Sequence, residues 1–103
     1  MAATAADVFD KLRPLIEPEL GVPILDLGMI YGVEIQDEGR KAHVRMALTS
    51  PMCPIAPYLI EMVRTAAMET DGLEDASVEI VWDPPWDPWT MATDDARAAL
   101  GLE

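Results

Sequence analysis

The strongest constraint on the fold is the alternation from Lys41 to Thr49. Ala42, Val44, Met46 and Leu48 share one parity, and His43, Arg45 and Ala47 share the other. A period of two is the signature of a half-buried strand, because successive side chains point to opposite faces. The stretch Ile30 to Gln36 reads as a second strand, and Asp37-Glu38-Gly39 between them is a turn signal. The two strands are expected to pair antiparallel.

The pattern changes to helical spacing after a Pro-rich loop, Ser50-Pro51-Met52-Cys53-Pro54. A helix is expected from about Pro54 to Thr70, burying Ile55, Leu59, Met62, Val63, Ala66 and Ala67. Pro54 and Pro57 suit its first turn, where backbone donors have no helical partner, and Asp71-Gly72 stops it. Ser77 to Trp82 then alternates again, with Val78, Ile80 and Trp82 facing the core. Strand, helix and strand in this order favour a parallel pairing through a right-handed crossover.

An N-terminal helix starts near Thr4, with Asp7 as the capping-box acid. Its apolar stripe is Val8, Phe9, Leu12, Leu15 and Ile16, and Pro14 kinks or ends it. Glu17 to Gly21 reads as a loop and Ile24 to Gly28 as a single turn. Thr93 caps a last helix, Asp94 to Leu100. The expected architecture is α/β: a small two-layer sandwich, with a mixed sheet of three or four strands and helices mainly on one face. One domain is expected over residues 1–103, with no internal repeat or linker.

Composition narrows the function classes. Nineteen acidic residues against seven basic ones give a net charge of −12, which disfavours nucleic-acid phosphates and anionic membrane surfaces. One Cys forbids an intramolecular disulfide, and one Cys with one His forbids a zinc finger within the chain. No apolar run approaches the ~18 residues of a membrane span. The opening MAATAADVFD lacks the cationic and apolar regions of a signal peptide, so a cytoplasmic protein is expected.

Cys53 is the residue richest in chemistry. It precedes Pro54 at the expected N-terminus of the second helix, where free N–H groups and the helix dipole favour a thiolate. Such a thiol is a metal ligand or nucleophile; the alternative is a small buried apolar residue. Thr49 and Ser50, four and three residues earlier, carry hydroxyls that suit a thiolate or a bound ligand, or simply cap a turn. Glu17, Glu19 and Asp26 form an acidic group that could bind metal, orient a partner or act as base. The plainer alternative, solvated loop carboxylates, is favoured, although the apolar neighbours of Glu19 and Asp26 suit partial burial. His43 is expected at the surface. In the Trp82–Trp89 window, Trp82 is expected in the core, Trp86 packed back over the sheet, and Trp89 more exposed. Exposed aromatics on a stiff Pro-rich loop make good partner anchors.

Four segments in this order resemble a known family: Glu17-Pro18-Glu19-Leu20, Ile24 to Tyr31, Leu48 to Pro54, and Trp82-Asp83-Pro84-Pro85-Trp86 continuing to Met91 and Ala96-Arg97. Together they resemble the metal–sulfur cluster biosynthesis accessory proteins, once catalogued as domain of unknown function fifty-nine. That family includes SufT-type bacterial proteins, PaaD and adaptors of the eukaryotic cytosolic iron–sulfur assembly machinery. The resemblance implies an iron–sulfur assembly-type fold and a site of Glu19, Leu20, Thr49, Ser50 and Cys53, with Asp26 nearby. Glu17 stands where the family usually has Asp. PaaD-type members carry a Cys-rich extension that is not seen here, so the SufT-type likeness is closer.

The implied role is an accessory factor in iron–sulfur assembly or protein maturation, not an enzyme in the ordinary sense. Cys53 would contact iron, a cluster or a carrier transiently, with no tightly bound cofactor. Partners would be iron–sulfur assembly proteins or apo-clients, and an exposed edge strand would suit a homodimer. The competing roles are an adaptor recruiting clients through Trp86 and Trp89, an assembly subunit for a multicomponent oxygenase, and a thiol enzyme. The last lacks a readable general base.

Overall fold

The computed structural model describes residues 3–49 and 54–102. Ser50 and Cys53 lie outside the described residues. Helix α1 (Ala5–Leu12) opens on a full capping box. The Asp7 amide donates to the Thr4 hydroxyl at 3.2 Å, and the Thr4 amide donates back to the Asp7 carboxylate at 3.0 Å. Val8 and Leu12 are buried, whereas Phe9 is only half-buried. The apolar stripe ends earlier than its spacing suggests. Beyond Pro14 the chain extends, so Ile16 belongs to a short strand, β1 (Ile16–Glu17), and is exposed. β1 pairs antiparallel with β2 (Val22–Pro23). Ile24–Leu27 forms a single helical turn, α2, which Gly28 closes in the left-handed conformation at φ 77°.

The main sheet has three strands in the order β3 (Ile30–Gln36), β4 (Lys41–Met46), β5 (Asp75–Ile80). β3 and β4 are antiparallel, and β4 and β5 are parallel. The crossover between β4 and β5 carries α3 (Ala56–Met68). Ala42, Val44 and Met46 of β4 are buried, and their register partners Val33, Ile35, Ala76, Val78 and Ile80 pack with them. Helices α1 and α3 cover this face: Leu12, Leu59, Val63 and Ala67 complete its core. Truncating one such residue to Ala costs about 2–5 kcal/mol, because the cavity collapses only partly. The opposite face carries Glu34, Lys41, His43, Arg45, Ser77 and Glu79 in register. The expected α/β two-layer sandwich is therefore the observed one, with the two-residue ribbon β1–β2 beside it.

Several boundaries shift. β4 ends at Met46 rather than Thr49, and Ala47 is buried with Leu48. One more bond follows the strand, from the Ala47 amide to the Met29 carbonyl at 2.7 Å, but with Ala47 and Leu48 both buried the period of two no longer describes burial there. β5 starts at Asp75 and ends at Ile80. Trp82 consequently lies beyond the strand and is 52% exposed, not in the core. Two short helices follow, α4 (Pro88–Met91) and α5 (Asp94–Ala99), the latter capped by Thr93 as its sequence suggests.

Candidate functional site

The acidic segment forms the turn of the β1–β2 ribbon. The Glu17 side chain folds back over its own turn and accepts hydrogen bonds from the Glu19 amide at 3.2 Å and the Leu20 amide at 2.7 Å. The turn closes through the Gly21 amide, which donates to the Glu17 carbonyl at 2.8 Å, with Gly21 at φ 69°. Glu17 is 1% exposed. This overturns the expectation of a solvated loop carboxylate. Ionised oxygen acceptors make stronger hydrogen bonds than neutral ones, and a buried carboxylate persists only where such donors replace water.

Glu17 is thus a structural clamp, and the neighbouring side chains are the ones displayed. Glu19 is exposed, and so is Leu20. Thr49 is half-buried at the described edge of the Cys loop. On its far side, α3 begins with Ile55 at the N-cap position, which offers no side-chain acceptor to the first-turn amides. Asp26 is half-buried in α2, and its carbonyl accepts from the Thr93 amide at 2.8 Å. Its backbone therefore ties α2 to the C-terminal segment.

That segment grips α2 at further points. The Trp86 Nε1–H donates to the Leu27 carbonyl at 2.8 Å, so Trp86 packs inward. Gly28 meets the Met91 backbone so closely that an added Cβ would lie 2.8 Å from the Met91 Cβ. The Tyr31 hydroxyl donates to the Pro84 carbonyl at 2.8 Å and contacts the Met91 sulfur at 3.3 Å. Burial raises the Tyr31 pKa above its ordinary value near 10. Trp89, on α4, is 57% exposed, in line with its expected availability.

His43 lies on the outer sheet face, between Ser77 Oγ at 2.7 Å from Nδ1 and Glu79 Oε1 at 2.8 Å from Nε2. It is committed to the sheet surface, as expected of a surface histidine. Among the described residues, no group of three or more His, Cys, Asp or Glu side chains is placed to hold a metal ion. The burial of Glu17 is the feature that sequence reasoning missed. The available signal was Gly21, four residues after Glu17, which allows the turn to close over the carboxylate.

The fold is a small two-layer α/β sandwich with a clamped acidic turn beside it. Residues 5–80 match the model of the iron–sulfur cluster assembly protein family, and the chain belongs to that family. It is 37% identical over 101 residues to the Fe–S protein maturation auxiliary factor YitW of Bacillus subtilis, covering 98% of this chain and 97% of YitW. It is 43% identical over 88 residues to the Fe–S protein maturation auxiliary factor SufT of Staphylococcus aureus, covering 85% of this chain and 98% of SufT. The fold matches a domain of unknown function from Bacillus anthracis with a TM-score of 0.84 at 33% identity, over 96% of this chain and 92% of that one. A conserved hypothetical protein from Thermotoga maritima gives 0.83 at 32%, over 97% and 96% of the two chains.

Proposed function

We propose that this protein is an accessory factor in iron–sulfur protein maturation, and that it acts through Cys53. The observation that carries the reading is its similarity, along nearly the whole chain, to two bacterial maturation auxiliary factors. The clamped acidic turn supports it, because a rigid turn presents Glu19 and Leu20 in fixed positions to a carrier or apo-client. Thr49 and Ser50, four and three residues before Cys53 in the sequence, supply hydroxyls for the same site. Asp26 contributes charge from α2.

The cluster or iron is cargo. A cluster is ordinarily held by four thiolates, and the sequence holds one Cys. The remaining ligands come from the carrier, the client, a second copy or a small thiol. The step is a ligand exchange without electron transfer: an iron–sulfur bond to Cys53 forms as a bond to one carrier thiolate breaks. Cys53 enters as the thiolate, so no proton is released by it, and the departing thiolate takes its proton from solvent. Cys53 precedes α3 in the sequence, and a first turn that its own N-cap residue, Ile55, does not cap favours a thiolate at that end. On this reading its partners are assembly components or apo-clients, and it acts in the cytoplasm.

The test is aconitase activity under iron limitation in a strain lacking this gene. Wild type is expected to restore activity and Cys53→Ala is not, at equal protein level. Restoration by the variant would refute the thiol mechanism. One observation favours a second reading, that of a client adaptor: Trp89 stands 57% exposed on a short helix. On that reading, Trp89→Ala weakens client capture and Cys53→Ala leaves it intact.

A further inference from the structure

Arg45 stands apart from the other arginines. Among the described residues, Arg13, Arg40, Arg64 and Arg97 each pair with a carboxylate, and Arg45 does not. Its register partner on β5 is Glu79, but Glu79 is held by His43 at 2.8 Å. Arg45 leans instead toward β3, across Gly32. A Cβ on Gly32 would lie 3.2 Å from the guanidinium carbon and closer still to one terminal nitrogen. Only a residue without a side chain leaves the guanidinium this position.

The same place carries a break in register. The pairing shifts between Ile30 and Gly32, so Tyr31 is the extra residue of a bulge. Bulges re-aim side chains and are frequent beside functional sites. Here the Tyr31 hydroxyl is turned onto the Pro84 carbonyl, which fixes the loop that forms the other wall. Between them lies a groove of about 490 Å³. Ile30, Val81, Pro84 and Met91 make its apolar lining, and it carries two charges, Arg45 and Asp83. Among the described residues, Asp83 also lacks an ion pair, and the two do not pair with each other.

We propose that this groove binds a small zwitterion with an apolar body, namely a free α-amino acid. The carboxylate meets the Arg45 fork, the ammonium meets Asp83, and the side chain lies on the apolar lining. Charge balance selects this class. The groove carries one charge of each sign, Arg45 and Asp83, so a simple ion leaves one of them unmatched whereas a zwitterion meets both. Both charges are solvent-exposed, so the site is expected to be weak and selective rather than tight.

The experiment is a titration of ¹⁵N-labelled full chain with L-methionine, N-acetyl-L-methionine and L-methionine methyl ester. The amide signals of Gly28, Gly32 and Val81 are followed. Methionine is expected to shift them saturably, and each analogue that lacks one charge is expected to bind about fivefold more weakly. Arg45→Gln should erase the preference over the ester, and Asp83→Asn the preference over the acetylated form. Absence of shifts at these amides, or equal affinity for all three compounds on the unmodified chain, would overturn the proposal without reference to either variant.

Discussion

Replacing Glu17 by Gln tests whether the buried carboxylate holds the acidic turn. The side chain accepts two backbone amides, at 2.7 Å from Leu20 and 3.2 Å from Glu19. A hydrogen bond to an ionised group contributes about 1.5–3 kcal/mol. The short bond belongs near the top of that range and the long one near or below its floor. Gln keeps one neutral acceptor but turns an NH₂ group toward the other amide, so the net loss is expected to be about 2 kcal/mol. At this chain length, that lowers the melting temperature by roughly 8–16 °C. The opposing effect is relief of desolvation, since a buried ion is costly to keep from water. Urea unfolding of both proteins measures the balance, and an unchanged slope would show that the unfolded state is not the cause. A Glu17→Gln variant as stable as wild type, or more stable, would refute the clamp: desolvation would then outweigh the two bonds, and another contact would be holding the turn.

Gly28→Ala should destabilise by at least about 2 kcal/mol, because a left-handed φ costs an L-residue about 1–2 kcal/mol and the new methyl would strike the Met91 backbone; thermal melting checks it. Trp86→Phe keeps most of the ring packing but loses the bond to the Leu27 carbonyl, so about 1 kcal/mol should be lost in denaturant unfolding. Burial favours the neutral Tyr31 phenol in the folded state. Its contribution is therefore complete below pH ~10 and falls as pH rises through the folded pKa; alkaline unfolding of wild type and Tyr31→Phe should show this loss only in the former. Thr4→Ala removes the side-chain half of the capping box and should cost about 1 kcal/mol in the same unfolding assay.

The hairpin, the crossover and the caps were legible because their signals are local. Alternation in 41–46 needs only neighbouring residues, and the Thr4/Asp7 and Thr93 caps span a single turn. Where the sequence misleads, a distant segment decides. Ala47 lies just past the end of β4, bonded to Met29 far back in the chain, and is buried against its parity. Trp82 continues the parity of Val78 and Ile80, yet β5 has ended at Ile80. The site shows the same division. Trp89 is available and Trp86 packs inward, both as expected, but the partner that holds Trp86, the Leu27 carbonyl 59 residues away in the chain, was not legible. The carboxylate of Glu17 was assigned to solvent because composition favours that for any acid in so acidic a chain. Its burial depends on a turn only two to three residues long, in which a side chain competes with water for amides.

The clamp also separates two roles that the acidic segment merges. A carboxylate that is 1% exposed and turned onto two amides of its own turn is closed to a metal from solvent, and it offers a partner no surface. Glu17 is therefore better suited to set the shape of the turn than to touch cargo. Glu19 and Leu20, whose amides it holds, are both exposed on that fixed backbone. A partner that reads this turn meets one charge and one apolar side chain at a constant spacing, and it does so without ordering a loop first, which is the usual entropic cost of recognition by loops. Loss of Glu17 should consequently weaken partner binding through Glu19 and Leu20 even though Glu17 makes no contact itself. Loss of Glu19 should weaken binding by removing the charge itself. Calorimetric titration with a captured client, run beside the unfolding curves, separates the two: if Glu17→Gln lowers stability and leaves affinity unchanged, the turn is structural only and recognition lies elsewhere on the surface.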